Sequence, residues 1–577
     1  MSVASGDPTQ HGFVLMTHLS IRHLCKENKI RLEISDSEFF SEPSVLIKKD
    51  ILISIPSNLQ RINDYLIEAT SREEYERMTK INETFNPDEA QEVVIKEVIY
   101  EPEIITGSRY YYYRFSYCGM ESDIGRAKAL PSGSPDSLKI AVITCQDYTS
   151  GKYNVFYHLA KEEGIDLVFH SGDVIYEYNR YPGLPSASYS KEINFPDGVL
   201  SLAPEADVRK ANTLADFRYI YRKEKSNPDF QEALRKHTWV FIRDDHDSGA
   251  DNIFWDDKSE APGFPDHDVR RNWPARARNR VMKNALQAWT EFIPMDVTFH
   301  PETDSPQEVL STYFKSYNFG DLAELFLLEG RIFRTPENPE EGLPGSMLGK
   351  DQKRWLIDGV RHSRANWQLI GNQTLMAPLR LKGGTGKILR QFVDIDENGA
   401  INRDAWDGFS DERRQILEAF SEKSNIAVFT GDMHTSLVSY LKKNFEKGAD
   451  RKNNKFSDII GAEFMTPSLT SPNFSDSIRF AAGISGFTVL TREIFECDNP
   501  HIKHFHGGIY GYATAVIRKE RLDWFVYKIN KIKEKTKTKK TLRKYLWYRP
   551  STRKIGKMDK FQLLGRDESS LLSKWNS

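Results

Sequence analysis

The chain has 577 residues, of which 39% are hydrophobic and 12% aromatic. It is too long for one ordinary core and too apolar for a disordered chain, so we expect a globular protein of two or more domains. The formal net charge of −2 creates no overall field that would predict a polyanionic partner.

The four cysteines are Cys25, Cys118, Cys145 and Cys497, and none of them forms a CxxC pair. This spacing argues against a disulfide framework or a structural zinc site. No apolar run approaches the roughly 18–20 residues that cross a bilayer. The first residues, MSVASGDPTQHG, lack the basic and apolar regions of a secretory signal. The sequence is therefore compatible with a cytoplasmic protein or with an exported form that has lost its signal.

Residues 1–130 predict a β-rich domain. The stretches KIRLEIS, SVLIKKDILISI, VVIKEVIYEPEI and RYYYYRFSY alternate apolar and polar residues, as strands with one buried face do. We expect a small β-sandwich, interrupted by the charged and more helix-like segment SREEYERMTKINET. The Pro/Gly/Ser-rich stretch ALPSGSPDS predicts a linker to the next domain.

Residues 137–530 change to a rhythm of strand, polar motif and helix. Helices are predicted in GKYNVFYHLAKEEG, RNRVMKNALQAWTEFIP, DQKRWLIDGVRHS and ERRQILEAFSEKS, and a hairpin of two strands in YFKSYNFGDLAELFLLEGR. Helices that alternate with strands indicate an α/β domain with parallel or mixed pairing.

Four short apolar runs in this region end on residues that bind metals. They are LKIAVITCQD, IDLVFHSGD, TWVFIRDDHD and NIAVFTGDMH, and each predicts a buried strand. In open α/β sheets, functional groups collect beyond the carboxyl ends of the strands. The side chains that we expect to meet at one such edge are Cys145, Asp173, Tyr176, Asp244, Asp245, His246, Asp432 and His434.

The residue types in these motifs predict a metal cluster. The two oxygens of Asp173 suit a bridge between cations about 3.5–4 Å apart, and the acids of DDHD need cations or hydrogen bonds to offset their charge. Cys145 and Tyr176 together favour a ferric ion, whereas carboxylates suit Ca²⁺ or Mn²⁺. The alternatives are a helix cap for Asp173, a solvated turn for DDHD, and core packing for Cys145 and Tyr176. A Cys–His–Asp protease arrangement explains neither the paired acids nor the GD motifs.

Further motifs follow one another along the chain: VASGDPTQHGFVLMT, YYYYRFSY, TCQDY, SGDVIYEY, DDHDSGADN, MLGKDQKRWL, WQLIGNQTLMAP, DAWDGF, FTGDMHTS, GAEFMTPSLTSP and NPHIKH. In these motifs and in their order, the chain resembles the alkaline phosphatase D (PhoD-like) family of metallophosphoesterases. The resemblance implies an immunoglobulin- or fibronectin-like β-sandwich in 1–130 and an αββα phosphatase domain in 137–530. It also implies hydrolysis of phosphomonoesters or phosphodiesters with the help of Fe³⁺ and Ca²⁺. Mn²⁺ or Zn²⁺ would be able to replace the Ca²⁺.

The resemblance also assigns roles to individual residues. Its metal-site motifs fall on Cys145, Asp173, Tyr176, Asp245, Asp432 and His434, and its phosphate-facing histidine on His246. The chain departs from the family where ND is reversed as Asp251–Asn252 and where LDxR becomes Leu328–Glu329–Gly330–Arg331. We expect Arg331 to pair with a phosphate oxygen, the alternative being a surface ion pair. Asn372 and His501 lie in family-like stretches.

These assignments predict catalysis by His246, Asp173 and Arg331 at a binuclear or trinuclear site. A metal-bound hydroxide attacks phosphorus, Asp173 bridges the cations, and His246 contacts the phosphoryl group or protonates the leaving oxygen. The expected substrate is a small phosphate ester or a phospholipid, and no specific nucleic-acid partner is predicted.

The sequence is also compatible with two other interpretations. One is a phospholipase D-like esterase that acts at a membrane surface, which the basic extension 531–577 supports. Residues 531–560 of that extension would contact an anionic surface, although the simpler interpretation of the extension is a solvated tail. A non-catalytic calcium-binding or adhesion protein would leave Cys145 and Tyr176 unexplained. The family is usually exported to the periplasm or the exterior.

Overall fold

The computed structural model of the chain describes most residues before 530 and two strands after them. The described residues are 1–20, 24–25, 27–53, 92–181, 191, 193–195, 197–200, 208–256, 261–266, 268–311, 313–336, 344–381, 399–401, 403–423, 425–443, 445, 459–477, 495–529, 539–548 and 562–564. The predicted helix-like segment SREEYERMTKINET lies outside them.

The strands, in chain order, are β1 (Val3–Thr9), β2 (Gly12–Ser20), β3 (Lys29–Ser35), β4 (Val45–Leu52), β5 (Glu92–Tyr100), β6 (Tyr110–Tyr117), β7 (Met120–Glu121), β8 (Gly125–Lys128), β9 (Ser137–Ile143), β10 (Leu167–His170), β11 (Val199–Leu200), β12 (Arg209–Lys210), β13 (Thr238–Phe241), β14 (Phe254–Asp256), β15 (Ala261–Gly263), β16 (Ser316–Phe319), β17 (Ala323–Leu327), β18 (Trp367–Gly371), β19 (Ile426–Thr430), β20 (Ser436–Lys442), β21 (Ile459–Met465), β22 (Ile502–His506), β23 (Tyr510–Arg518), β24 (Arg521–Ile529), β25 (Lys539–Tyr548) and β26 (Gln562–Leu564).

The helices are α1 (Asn154–Leu159), α2 (Leu214–Lys225), α3 (Pro228–Lys236), α4 (Ala275–Phe292), α5 (Pro306–Ser311), α6 (Gly349–His362) and α7 (Ser410–Ala419). The four predicted helices correspond to α1, α4, α6 and α7, and the predicted hairpin is the antiparallel pair β16–β17. These predictions are confirmed, because each rested on a long apolar periodicity within one segment.

Two large sheets position the site. The first has ten strands in the order β26-β25-β24-β23-β9-β10-β13-β1-β2-β5, and the second has seven in the order β16-β17-β18-β19-β21-β20-β22. Strands β9, β10 and β13 are parallel to one another, and so are β17, β18, β19 and β21. The fold is therefore mixed α/β, as predicted. The strand before GDMH, however, belongs to the second sheet, so the four motifs come from two sheets rather than from the edge of one.

The two sheets pack face to face through large apolar side chains. Phe429 of β19 stacks on Trp524 of β24 with ring centroids 5.6 Å apart, and Phe464 of β21 lies 5.2 Å from the same indole. All residues of β10, β13, β18 and β19 are buried, which explains why these strands are continuous apolar runs rather than alternating ones. A second core on the other face of the seven-stranded sheet includes Leu356 of α6 and Ile416 of α7.

The N-terminal strands have a hydrophobic core of their own, which extends from Val3 to Ala129. Strands β3, β4, β6, β7 and β8 form a five-stranded sheet. Strands β1, β2 and β5 instead extend the ten-stranded sheet, with β1 parallel to β13. The change of core coincides with the predicted linker, but the large sheet runs across it. The immunoglobulin- or fibronectin-like character of 1–130 and the boundary at 137 stay predictions.

Two expectations about the chain need correction. Cys25 and Cys118 form a disulfide, because the β6–β7 hairpin carries Cys118 to the loop after β2; the absence of a CxxC spacing gave no sign of this pair. Within the basic extension, 539–548 is strand β25, paired antiparallel with β24. The backbone of that part is therefore a strand of the sheet and not a free tail. Among the described residues, no helix combines the length and apolar character that crossing a bilayer requires.

Candidate metal centre

Hydrogen bonds hold three of the four predicted motifs against one another. The amide of Cys145 donates to the carbonyl of Gly172 at 3.1 Å, which joins the TCQD and GD loops. Asp247, the last acid of DDHD, accepts from the backbone amides of Asp173 at 2.8 Å and Val174 at 3.0 Å. Asp247 thus holds the GD loop in place. The other two acids of DDHD, Asp244 and Asp245, are not used for this support and face the candidate metal centre.

The backbone is strained at four of the predicted ligands. Cys145, Asp173, Asp432 and His434 have φ values of 55°, 57°, 67° and 51°, a left-handed conformation that non-glycine residues adopt rarely. Each such residue costs on the order of 1–3 kcal/mol, and such strain concentrates at functional sites. In each loop the chain leaves its strand and turns sharply, so that the side chain points back over the strand end.

A Cys–Asp–Tyr–His group lies at the junction of the two sheets. The Cys145 Sγ lies 3.5 Å from Asp173 Oδ2, and the Tyr176 hydroxyl donates to the same oxygen at 3.1 Å. The Tyr176 hydroxyl is also 2.9 Å from His434 Nε2. His434 Nδ1 donates to the carbonyl of Pro472 at 2.6 Å. Because a carbonyl only accepts, this bond directs Nε2 toward the group, which is the tautomer that a metal ligand requires.

Burial favours the neutral forms of Cys145, Tyr176 and His434, and a bound cation would favour ionisation of the thiol and the phenol. It lowers the pKa of His434 to about 4, so the imidazole is uncharged at neutral pH. Burial, assisted by the carboxylate of Asp173, raises the pKa of Cys145 and of Tyr176 well above their ordinary values. A thiol and a phenol in such surroundings ionise when a cation offsets their charge. This donor set fits a ferric ion.

Acids gather on the other side of Asp173. One ligand atom each from Asp173, Asp245 and His246 lie within 4.8 Å of one another, and the same holds for Asp244, Asp245 and Asp432. Asp173 Oδ1 and Asp244 Oδ2 are buried without a hydrogen-bond partner among the described residues. Burial and neighbouring carboxylates raise the pKa of Asp173, and they raise the pKa of Asp432 to about 7. Hard cations with oxygen ligands fit a group of carboxylates of this kind.

Asp245 behaves differently from its neighbours. Burial opposes its ionisation, but the charges of Arg331 and His246 outweigh that effect and lower the pKa of Asp245 to about 2. Its Oδ2 accepts from the backbone amide of Asn252 at 2.8 Å. Asp245 is therefore a carboxylate with a permanent negative charge at the wall of the site.

Arg331 lies inside the acid group, and only 1% of it is exposed. Its Nη2 is 3.1 Å from Asp432 and 3.5 Å from Asp245, and its other guanidinium nitrogens bond to Asp244 and Asp404. The alternative of a surface ion pair is thus wrong, because burial and four acids surround this side chain. The pairing of Arg331 with a phosphate oxygen stays a prediction.

A cavity of about 150 Å³ opens onto this centre. Its lining residues are Asp173, Tyr181, Asp245, His246, Asp251, Asp432, Met433, His434, Phe474 and Ser477. Five predicted site residues are among them. Cys145 and Tyr176 do not line the cavity but lie against Asp173, where they contact its Oδ2.

Several residues that the sequence analysis gave no role belong to the site. Asp251 lines the cavity, and burial raises its pKa to about 6. Asp404, from the DAWDGF motif, bonds to Arg331 and Arg334. Asn252 also donates to both carboxylate oxygens of Asp404, at 2.8 and 3.1 Å, when its amide nitrogen faces this acid. The motif around Asp404 was visible in the sequence. An acid in a loop, however, does not indicate which residues its carboxylate contacts.

The remaining candidates support loops rather than the centre. Asn372 donates to the carbonyl of Thr374 at 2.6 Å, and His501 donates to the carbonyl of Pro378 at 2.8 Å. Glu329, next to Arg331, accepts from the backbone amides of Arg331 and Ile332 at 2.8 and 3.0 Å. Glu329 therefore shapes the turn that carries Arg331.

Two facing sheets with Cys, Asp, Tyr and His ligand atoms between their strand ends define a two-sheet α/β protein with a candidate metal centre. The family described as PhoD-like phosphatase matches residues 140–524, which is more than half of the chain. The chain belongs to the PhoD-like phosphatase family, as its motifs indicated.

Two known proteins are similar to the chain. It is 28% identical over 431 residues to a Bacillus subtilis (strain 168) protein named alkaline phosphatase D, and the match covers 72% of this chain and 64% of the relative. The chain thus spans less than two thirds of that relative. A solved structure of PhoD matches with a TM-score of 0.70 at 21% identity, covering 98% of this chain and 92% of the other. The structural likeness supports the mixed α/β fold.

Proposed function

We propose that the chain is a metal-dependent hydrolase of phosphate esters. The observation that carries this proposal is the position of Asp173, which lies between the Cys145–Tyr176–His434 group and the acids, with Oδ2 in the first group and Oδ1 buried and unpartnered among the described residues. A carboxylate placed in this way suits a bridge between two cations. Membership of a phosphatase family and the name of the Bacillus relative support the same chemistry.

The donor types indicate which cations the two groups take. Cys145, Asp173, Tyr176 and His434 would hold Fe³⁺, and the carboxylates of Asp173, Asp245 and Asp432 would hold Ca²⁺, with Mn²⁺ or Zn²⁺ as substitutes. When bound, such cations acidify a water molecule and offset the charge of a phosphoryl group.

The chain's own residues divide the remaining tasks. His246 lines the cavity, and the carboxylates of Glu177 and Asp173 raise its pKa well above the ordinary value although burial opposes this. His246 therefore donates a hydrogen bond to the phosphoryl oxygen or a proton to the leaving oxygen. Arg331 holds Asp244, Asp245 and Asp432 at fixed positions through the contacts described above. The substrate class that we propose is a small monoester or diester of phosphate.

Metal content and turnover of the purified chain test the proposal together. We expect iron and calcium by plasma mass spectrometry, and turnover of 4-nitrophenyl phosphate or bis(4-nitrophenyl) phosphate that a chelator abolishes. Thiolate or phenolate on Fe³⁺ produces a visible charge-transfer band, which we expect to weaken in Tyr176→Phe. A metal-loaded chain that turns over neither ester would contradict the proposal, as would full turnover after the metals are removed.

A further inference from the structure

A buried glutamate holds the histidine that faces the cavity. Glu177 follows Tyr176 directly, is fully buried, and its Oε2 lies 2.7 Å from His246 Nδ1. Because a carboxylate only accepts hydrogen bonds, Nδ1 carries the hydrogen and donates it. The other nitrogen, Nε2, is 3.3 Å from the Tyr178 hydroxyl and is the one available to a substrate.

The carboxylate of Glu177 also faces buried basic groups, to which it makes no hydrogen bond among the described residues. Its Oε1 lies 3.9 Å from Lys210 Nζ and 3.9 Å from Arg270 Nη2, while Asp268 contacts Arg270 at 2.7 Å and Lys210 at 3.4 Å. Two acids and two bases balance one another without any cation from the metal centre. The two oxygens of Glu177 are thereby divided, one toward the bases and one toward His246.

Burying four charges is expensive, and ion pairs of this kind are weak evidence for stability alone. This group of ion pairs contacts the ring of His246 through Glu177. The orientation of that ring decides which of its nitrogens faces the substrate. We propose that Glu177 is a positioning residue, which sets the rotation of His246 and keeps a hydrogen on its Nδ1, and that Lys210, Arg270 and Asp268 hold Glu177 for this purpose. The inference rests on the proposed function, because it explains how His246 performs its part in hydrolysis.

Glu177→Gln tests this role with little change in shape. The glutamine carbonyl is expected to face Lys210 and Arg270, which are donors, so its NH₂ group would face His246 Nδ1. That nitrogen would then have to accept, so the imidazole would carry its hydrogen on Nε2 alone. In proton–nitrogen NMR of histidine-labelled protein without metals, we expect the Nδ1–H signal of His246 in the unaltered chain and its loss in this variant.

A double-mutant cycle separates positioning from simple stabilisation. We expect Glu177→Gln to lower kcat on phenyl phosphate about 10- to 100-fold, a typical share of acid–base catalysis, with KM changed less than about threefold. In a His246→Asn background the same change is expected to alter kcat less than about twofold, because the residue acts through His246. Glu177→Asp, which keeps the charge but withdraws the carboxylate, is expected to show the same non-additivity. It serves as the test if the glutamine variant does not fold.

Glu224→Gln is the matched control. Glu224 is as buried as Glu177 but bonds to Gln146 at 3.1 Å and to Tyr153, so we expect unchanged kcat and an unchanged His246 signal. Equal losses from Glu177→Gln in both backgrounds, or an Nδ1–H signal that survives it, would overturn the inference alone. If His246→Asn turned over substrate at the rate of the unaltered chain, the role of His246 in the proposed function would fall as well.

Discussion

The two oxygens of Asp173 have different surroundings, and this difference decides what the residue can do. Oδ2 meets a thiol and a phenol, which are soft or easily oxidised donors, whereas Oδ1 adjoins carboxylates and has no hydrogen-bond partner among the described residues. A helix cap, the alternative interpretation of this residue, would use one oxygen on a backbone amide. Asp173 instead receives backbone support from Asp247, so its carboxylate is left for ligands.

We therefore expect Asp173→Asn to lower kcat by two or more orders of magnitude, because an amide cannot bridge two cations as a carboxylate does. Bound metal, measured by plasma mass spectrometry, is expected to fall in the same variant. Asp523→Asn is a suitable control, since Asp523 is buried on β24 and pairs with Arg518 at 2.9 Å, outside the metal centre. Near-normal hydrolysis by the Asp173 variant would refute the bridging role.

The raised pKa of Asp432 makes a prediction about pH. Burial raises this pKa from 3.8 to about 7, so between about pH 4 and 7 the folded metal-free chain holds a proton that the unfolded chain releases. The contribution of Asp432 to the free energy of unfolding is then expected to fall as pH rises through this window, by about 1.4 kcal/mol at most per pH unit. Asp251, raised to about 6, adds to the effect.

Urea titrations of chelator-treated protein at pH 5 and pH 8 measure this slope. Asp432→Asn, which cannot titrate, is expected to flatten it, and added Ca²⁺ is expected to restore stability at pH 8. A slope that Asp432→Asn leaves unchanged would contradict the prediction.

At the scale of the elements, the C-terminal strand shows how a charged segment can belong to a sheet. β25 pairs with β24 along residues 539–548 and β26 pairs with β25, although the sequence there is dense in lysine and arginine. Basic side chains are a common protection for strands near a sheet edge. The charge pattern that indicated a tail or a membrane contact is therefore also compatible with an outer strand.

Two variants distinguish these roles of the extension. Deletion of 531–577 removes β25 and β26 and leaves the hydrogen-bonding edge of β24 unpaired, so we expect a lower Tm by several degrees and a tendency to aggregate. Replacement of Lys540, Arg543 and Lys544 by glutamine keeps the strand. If 531–560 contacts an anionic surface, this second variant loses binding to phosphatidylserine vesicles while its Tm and its turnover of a soluble diester stay normal. A deletion variant with unchanged Tm would contradict the structural role.

At the scale of the whole molecule, the candidate ligands join the two sheets. Cys145 and Asp173 follow strands of the ten-stranded sheet, whereas Asp432 and His434 follow β19 of the seven-stranded sheet. A cation held by both sets would tie the sheets together at their carboxyl ends. A second link between the sheets lies at β1, where Asp7 bonds to Lys315 and to Tyr317 of β16, both at 2.6 Å.

Metal removal is accordingly expected to destabilise the entire fold and not only the loops. Binding at about 1,000 times Kd contributes about 4 kcal/mol, so we expect a single calorimetric transition that moves to lower temperature on chelation and returns when the metals are restored. The same treatment of Asp173→Asn is expected to shift Tm much less. An unchanged Tm in the unaltered chain would contradict a cation shared between the sheets.

The sequence by itself determined the elements and the chemistry of the site residues. Strands such as β3 and β9, helices such as α4, and the motifs that end on Cys145, Asp173 and His434 follow from local alternation of apolar and polar residues, which acts over a few neighbours. The tertiary structure alone decided that two sheets supply the site, that Arg331 lies among four acids, that Glu177 meets His246, and that Cys25 meets Cys118. These contacts join residues far apart in the chain, so they depend on the path of the backbone through space, which no local pattern records.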